Sequence, residues 1–226
     1  MPADRPLTLQ INRDGAELFP RLLDSVDLAA LDGLLPDAVR PGTRLYGNSG
    51  LAQWLQDGSV GSIARKLLGS AARPVRAILF DKTPKANWAL GWHQDRTIAV
   101  RQQMDVDGFA HWTTKDGARH VEPPLDLLER MITARIHLDA VTQDNGPLLI
   151  ARGSHTLGRI EEVVVDEVVS RCGTHACFAD AGDVWMYRTP ILHASDPSHS
   201  EGRRRVLQVD FAGEDLPGGL EWLGVG

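Results

Sequence analysis

The sequence predicts a mainly β protein, a jelly-roll barrel with N-terminal helices packed outside it. Apolar residues in the first 70 positions recur at the spacing of short helices. From Arg73 onward, short apolar or alternating runs are separated by turns rich in glycine and proline, as in all-β barrels. The 226 residues are 42% hydrophobic and contain no linker or repeat. We therefore expect a single domain over 1–226, with a mainly helical part over 1–72 and a jelly-roll core over 73–212.

Four short helices are predicted in the N-terminal part, over residues 16–23, 27–35, 50–56 and 59–68. Asp14 can cap the first, in which two leucines are four positions apart. Pro20 counts against that helix, because an interior proline kinks or breaks it. Ser49 can cap the third helix, and Gly69 closes the fourth.

Seven strands are predicted next, over residues 74–80, 92–100, 132–141, 148–150, 174–179, 183–188 and 204–211. The clearest is the third, in which apolar and polar residues alternate from Ile132 to Asp139. Residues 125–131 fit a helical turn, 144–147 a tight turn, and 161–171 either a helix or a strand. Residues 101–124 are mixed in charge and contain glycine and proline. We expect a long loop there that acts as a lid over a site.

Charge and hydropathy exclude several classes of partner. The formal net charge is −6, and the one basic run, Arg203 to Arg205, is too short for a nucleic-acid surface. No segment approaches the roughly 20 apolar residues of a membrane span, and the first five residues show no signal pattern. We expect a soluble cytoplasmic protein that binds neither nucleic acid nor membrane. Cys172 and Cys177, with His175 between them, fit no standard zinc spacing, so we interpret them as structural.

Three residues have the composition of a metal site. In a strand, residues i and i+2 point to the same side, so His93 and Asp95 can converge on one ion while Gln94 points away. His193 would join them from another strand. Two imidazoles and one carboxylate are the ligands of a 2-His-1-carboxylate iron site, which leaves positions open for co-substrate and dioxygen. Zinc is the competing metal, but structural zinc prefers four protein ligands and thiolates. Each histidine taken alone would be interpreted as structural.

A basic residue follows the last candidate ligand. Arg204 lies eleven positions after His193, and a guanidinium there suits a dicarboxylate co-substrate because such pairs are strong. Arg203 and Arg205 would point away from Arg204 on the same strand, so the three arginines are not equivalent.

Several short strings, each weak alone, are specific in this order and spacing. They are WHQD at 92–95, DNGPL at 144–148, GSH at 153–155, GDV at 182–184, HAS at 193–195 and GRRR at 202–205. Through them the sequence, from about Arg73 to Ala212, resembles the phytanoyl-CoA dioxygenase family of iron(II)/2-oxoglutarate oxygenases.

The resemblance implies a fold, a cofactor and a reaction. The fold is a double-stranded β-helix of the cupin-like class. His93, Asp95 and His193 would bind Fe(II), and Arg204 would pair with the distal carboxylate of 2-oxoglutarate, assisted by the Ser195 hydroxyl. Dioxygen would be consumed, and succinate and carbon dioxide released. Because Asp95 is present, whereas halogenating relatives lack this carboxylate, hydroxylation is favoured.

Arg135 departs from the family pattern, since some relatives have an aromatic co-substrate contact at this place. It lies on the polar face of the strand predicted over 132–141. If that face lines the barrel, Arg135 can meet the co-substrate or an anionic substrate. The alternative is an interior ion pair with Asp139 or Asp95.

Candidate substrate contacts flank the first ligand strand and the following loop. Aromatic lining with a few polar groups is typical of small-molecule pockets. The candidates are Trp88, Trp92, Arg96, His111 and Trp112, and each is equally compatible with an ordinary packing role. Arg44 sits where relatives have a basic residue near the pocket.

The sequence thus predicts an iron(II)/2-oxoglutarate-dependent dioxygenase that hydroxylates a small organic molecule, as a monomer or homodimer. Two alternatives remain open, a non-catalytic jelly-roll module that retains a metal and a hydroxylase of a macromolecule. The family name does not establish an acyl-CoA substrate, because no basic cluster in the sequence suits the phosphates of CoA.

Overall fold

A computed structural model describes residues 8–37 and 42–226; the first five residues, examined above for a signal pattern, lie outside this part. The N-terminal part contains α1 (Ile11–Asp14), β1 (Ala16–Phe19), α2 (Ser25–Asp32), β2 (Thr43–Leu45), α3 (Ser49–Asp57) and α4 (Ser59–Leu68). The middle contains β3 (Arg73–Lys82), β4 (Leu90–His93), β5 (Ile98–Val100), β6 (Ala110–Lys115), β7 (Ala118–Glu122), α5 (Leu125–Glu129) and β8 (Ile132–His137). The C-terminal part contains β9 (Leu148–Ala151), α6 (Val165–Cys172), β10 (Thr174–Cys177), β11 (Val184–Arg188), β12 (His193–Ser195) and β13 (Arg204–Ala212).

Eight of these strands form two antiparallel four-stranded layers. One layer has the order β11-β8-β13-β3, and β1 and β2 extend it at its two edges. The other has the order β10-β9-β12-β4. The chain passes back and forth between the layers, so strands distant in sequence become neighbours, as in a jelly roll. The prediction of a mainly β fold of the double-stranded β-helix class is confirmed.

The N-terminal helices cover the outer face of the six-stranded sheet. The alternation in β8 explains this, because Ile132, Ala134 and Ile136 point to the helices and are fully buried. Leu51 and Leu55 of α3 belong to the same apolar cluster. The polar residues of β8 therefore face the space between the two sheets, where a site can form. Burying the apolar face also contributes about 25 cal/mol for each Å² removed from water.

The helix predicted over residues 16–23 is wrong, because Ala16–Phe19 is a strand. A short helix ends just before it, and Gly15 closes that helix with a left-handed φ of +83°. The strand then pairs antiparallel with β11 over the full four residues, from Ala16 opposite Tyr187 to Phe19 opposite Val184. The hydrogen bonds offered by the edge of β11 outweigh a helix propensity that differs little between residues.

The strand predicted over 92–100 is broken, and the loop predicted over 101–124 is largely a hairpin. Leu90–His93 belongs to the four-stranded sheet, whereas Ile98–Val100 starts a separate sheet with the order β5-β7-β6. The hairpin of β6 and β7 turns at Asp116 and Gly117. Its inner side packs on an apolar cluster that includes Leu220 and Trp222 near the C-terminus. Contacts with residues distant in sequence thus stabilise a hairpin that the local spacing of apolar residues does not predict.

The other predicted elements agree closely with the structure. The helix over 59–68 has the predicted bounds, and α3 begins one residue earlier because Asn48, not Ser49, caps it. The ambiguous segment 161–171 is helical, ending in α6. Among the described residues, no helix is both long and apolar enough to cross a bilayer.

Candidate metal centre and co-substrate pocket

Two strands of the four-stranded sheet bring the three predicted metal ligands together. His93 ends β4, His193 begins β12, and the two residues are direct partners in the antiparallel pairing. Asp95 follows just after the end of β4. One potential ligand atom of each side chain lies within 4.8 Å of the other two, and the imidazole centroids are 4.3 Å apart. Cys177 and His175 form no comparable group among the described residues.

The hydrogen bonds of both imidazoles leave one nitrogen of each free for a metal. His93 Nδ1 lies 2.7 Å from the Gly91 carbonyl, and His193 Nδ1 lies 3.0 Å from the Ile191 carbonyl. A carbonyl only accepts, so we assign the proton to Nδ1, which leaves the Nε2 lone pair available. Burial, together with His93, lowers the pKa of His193 to about 4, so its ring is neutral at pH 7. Neutral imidazoles that donate their other N–H to backbone oxygens are the form that binds metals.

The third candidate ligand, Asp95, is held by two polar side chains. Arg76 Nη2 lies 3.1 Å from Asp95 Oδ2, and Gln208 Nε2 donates to the same oxygen at 3.3 Å. Burial acts to raise the pKa of Asp95, but Arg76 and the two imidazoles hold it at about 2. Arg76 also pairs with buried Asp210, 2.5 Å away, which fixes the guanidinium. Two imidazoles and one ionised carboxylate fit Fe(II) with positions left open.

The metal cluster forms part of the wall of a cavity of about 420 Å³ between the two sheets. Alternate residues of β3 point into it, namely Arg76, Ile78, Phe80 and Lys82. Arg76 lies beside Asp95 at one end, and Lys82 lies beside Ser195 at the other. Six residues of strand separate them by about 20 Å. The cavity therefore has two ends, and the metal cluster lies towards the Arg76 end, because Asp95 is one of its three residues.

A cluster of three cationic side chains, Lys82, Arg135 and Arg204, occupies the Lys82 end. None of the three forms an ion pair with a carboxylate in the described part of the chain. Burial, followed by the charges of Arg204 and Arg135, lowers the pKa of Lys82 to about 8. Burial and Arg135 likewise lower the pKa of Arg204 to about 9. Buried cations without a counterion are costly, so this cluster suits a bound anion.

The three consecutive arginines differ as the sequence predicts. Arg204 is 2% exposed, and its Nη2 and Nε donate to the carbonyls of Gly146 (2.9 Å) and Asn145 (3.3 Å). Arg203, by contrast, forms hydrogen bonds of 2.7–3.1 Å with the buried carboxylate of Asp81. Arg205 pairs with Asp139 and Asp32. Only Arg204 of the three lines the cavity.

Ser195 and Arg135 also line the cavity, each with a specific partner. The Ser195 hydroxyl accepts a hydrogen bond from Lys82 Nζ at 3.0 Å. Arg135 Nη1 donates to Gln208 Oε1 at 3.0 Å, and its guanidinium stacks over the Phe80 ring at 5.3 Å. The ion pair of Arg135 with Asp139 or Asp95, one of the two predicted alternatives, does not form.

The predicted substrate contacts fall into two groups. Trp88 and Arg96 line the cavity, as does Arg44. Trp92 instead packs beside an apolar cluster under α6, and Trp112 packs against the cluster beneath the hairpin. His111 is exposed, with a φ of +53°, at an irregularity in β6. The structure thus does not place Trp92, His111 or Trp112 at this cavity. Trp92 packs under α6, and His111 and Trp112 lie near the start of β6, away from its last residue, Lys115, which does line the cavity.

Several residues of the cavity wall were missed in the sequence, among them Lys82, Arg76, Gln208, Phe80 and Lys115. A signal existed, because Arg76 and Lys82 have the same parity in β3 and therefore lie on one face of the strand. Charged residues at even spacing in such a strand indicate a polar face. However, Asp95 lies 19 residues from its partner Arg76, and Ser195 lies 113 residues from its partner Lys82, so no local pattern shows these contacts.

Comparison with known proteins agrees with the resemblance. The sequence model of the family described as phytanoyl-CoA dioxygenase (PhyH) matches residues 47–206. An L-proline trans-4-hydroxylase from Streptomyces griseoviridis is 25% identical over 175 residues, which are 66% of this chain and 58% of that protein. The chain thus spans less than two thirds of the length of this curated relative.

Solved structures share the fold. EctD from S. alaskensis, solved with 2-oxoglutarate and 5-hydroxyectoine, has a TM-score of 0.68 and 18% identity, covering 94% of this chain and 78% of that one. HygX from Streptomyces hygroscopicus, solved with iron, has a TM-score of 0.60 and 16% identity, covering 91% and 87%.

Proposed function

This chain belongs to the phytanoyl-CoA dioxygenase family, and from that premise we propose that it is an iron(II)/2-oxoglutarate-dependent dioxygenase that hydroxylates a small organic molecule. One observation carries the proposal. Two imidazoles and a carboxylate converge beside a buried cationic cluster that has no carboxylate partner within the described residues. A metal site alone needs no such cluster, whereas a dicarboxylate bound next to the metal requires one.

Each residue of the site has a definite task in this proposal. His93, Asp95 and His193 hold Fe(II), and Arg76 keeps Asp95 ionised and oriented. The bound iron supplies the activation of dioxygen, which is coupled to the oxidative decarboxylation of 2-oxoglutarate to succinate and carbon dioxide.

The cationic cluster binds the distal carboxylate of 2-oxoglutarate. Arg204 has N–H groups left after its two carbonyl contacts, and Lys82 provides a second charge from the opposite strand. The Ser195 hydroxyl, already held by Lys82, is placed to donate its proton to the same carboxylate. Arg135, anchored by Gln208, adds positive potential without a bond to any carboxylate of the described protein.

The size of the cavity and the nature of the relatives support a small substrate. Small-molecule pockets range from about 300 to 1,000 Å³, and this one must hold the co-substrate as well. The curated relative carries the name of an L-proline hydroxylase. The cationic cluster argues against a non-catalytic metal-binding module. Location in the cytoplasm, a monomeric or dimeric state and a single domain over 1–226 remain predictions.

Succinate release tests the proposal. Purified protein with Fe(II), ascorbate and 2-oxoglutarate should release succinate under air, and L-proline and related small amino acids should be the first substrates tried. His193→Ala should abolish release, while Lys66→Met on α4, remote from the cavity, should not. If wild-type protein released no succinate and bound no 2-oxoglutarate, the proposed function would be wrong.

A further inference from the structure

The cavity carries far more positive than negative charge, although the whole chain is acidic. Among the residues that the structure describes, seven cationic side chains line it, and Asp95 is the single acidic one. The cations are Arg44, Arg76, Lys82, Arg96, Lys115, Arg135 and Arg204. Two further carboxylates, of Asp116 and Asp210, pair with Arg44 and Arg76. Fe(II) and 2-oxoglutarate cancel one another in charge, so an excess of positive charge remains after both are bound.

Part of this excess positive charge lies at the end of the cavity opposite to the cationic cluster of Lys82, Arg135 and Arg204. Lys115 is the last residue of β6 and reaches the cavity from the hairpin. Its ammonium group makes no hydrogen bond or ion pair within residues 8–37 and 42–226. Lys115 is an exposed residue at the rim of the cavity. Partial burial of its ammonium group, followed by Arg44 and Arg76, lowers the pKa of Lys115, and Asp95 only partly opposes this. Lys115 thus lies near two other cations, Arg44 and Arg76, and near the carboxylate of the metal ligand Asp95.

Arg44 reaches the same end from the neighbouring edge strand. Leu45 of β2 points into the core, so Arg44 points to the cavity. Arg44 Nη1 pairs with Asp116 at 2.6 Å, and the Tyr46 hydroxyl donates to the Asp116 carbonyl at 2.8 Å. These two contacts fix the turn of the hairpin to β2 and thereby place Lys115. The Nε of Arg44 is buried and has no partner in the described structure.

We propose that the substrate carries a carboxylate, and that Lys115, together with Arg44, binds it on the side of the metal opposite to the Lys82–Arg204 cluster. This inference rests on the proposed function. A cation near the metal fixes which carbon faces it, because an anionic group anchored at one point orients the rest of the molecule. Lys115 is thus a specificity-determining residue.

Pairs of ligands that have the same shape but differ in charge test whether the protein recognises a carboxylate. Protein loaded with Fe(II) and 2-oxoglutarate is kept free of oxygen, so no turnover occurs, and binding is measured by calorimetry. The probes are cyclopentanecarboxylate against cyclopentanecarboxamide, L-proline against L-prolinamide, and benzoate against benzamide, with phenyl phosphate as a second anion. At least one carboxylate should bind tenfold or more tightly than its amide. Lys115→Met should remove that preference, and Lys66→Met on α4 should retain it.

Several results would overturn the inference. They are equal binding of every acid and its amide, no binding by any probe, and a preference that survives in Lys115→Met. Tighter binding of phenyl phosphate than of all carboxylates would overturn the assignment to a carboxylate. The proposed function is tested separately on wild-type protein by 2-oxoglutarate affinity and succinate release. If both are present without a preference for acids, only this inference fails, and if both are missing, the proposed function fails.

Discussion

Replacing Arg204 with alanine should weaken 2-oxoglutarate binding strongly while leaving the fold intact. The side chain is 2% exposed and lines the cavity, and within the described part of the chain it donates hydrogen bonds only to the backbone carbonyls of Asn145 and Gly146. A fully desolvated charge pair that loses one partner costs about 2–5 kcal/mol. Because Lys82 still provides one charge to the same carboxylate, we expect the lower part of this range, about 2–3 kcal/mol. At 1.4 kcal/mol for each factor of ten, the KM for 2-oxoglutarate should rise about 30- to 150-fold.

Arg203→Ala is the matched control, because the structure predicts the opposite signature for it. Arg203 binds the carboxylate of Asp81, which has no exposed surface. Its loss should lower the melting temperature, since it leaves a buried charge without a partner, but should hardly change the KM for 2-oxoglutarate. The assay is succinate release at varied 2-oxoglutarate, with thermal unfolding of each variant. A larger KM change in Arg203→Ala than in Arg204→Ala would refute the assignment of Arg204.

Three further predictions follow from the site. His93→Ala and His193→Ala should each lose Fe(II), measured by metal analysis after anaerobic loading, and stoichiometric iron in the double variant would exclude this site. Binding of 2-oxoglutarate should weaken as pH rises through about 8, because Lys82, faced by Arg204, Arg135 and Asp196, loses its proton there. Lys82→Gln should weaken binding at pH 7 and flatten the pH dependence of 2-oxoglutarate affinity between pH 7 and 9, and an unchanged pH dependence would contradict the role of Lys82. Arg76→Met should lower the unfolding free energy of the metal-free protein by about 3–5 kcal/mol in urea titrations, since the carboxylates of Asp95 and Asp210 lose their shared counterion. A loss of unfolding free energy below about 1 kcal/mol would contradict the pairing.

Local spacing in the sequence was enough to nominate the central residues of the site. His93 and Asp95 are two positions apart, so their side chains can converge whether or not the strand continues to the second of them. In the structure β4 ends at His93, yet the two groups still meet. The strict alternation from Ile132 onward likewise predicted which face of β8 is buried, since a strand reverses side at each residue.

Contacts between side chains on distant strands of the barrel could not be predicted from such local patterns. Lys82 meets Ser195 across 113 positions of sequence, and only the pairing of β3 with β13 places Lys82 directly opposite Arg204. The hairpin of β6 and β7 is a second example, because its polar sequence has no apolar run to mark a strand. Its stability comes from pairing with β5 and from contact with the C-terminal segment.

The sequence by itself therefore determined the fold class, the three candidate ligands and the distinction of Arg204 from its neighbours, because each depends on residue type and on side-chain parity over a few positions. The tertiary structure alone decided that Ala16–Phe19 is a strand, that Trp92 and Trp112 pack away from the cavity, and that Lys82 and Lys115 face its two ends. These depend on which edges and surfaces meet after the chain closes, and hydrogen bonds between distant strands outweigh local propensities of a few tenths of a kcal/mol for each residue.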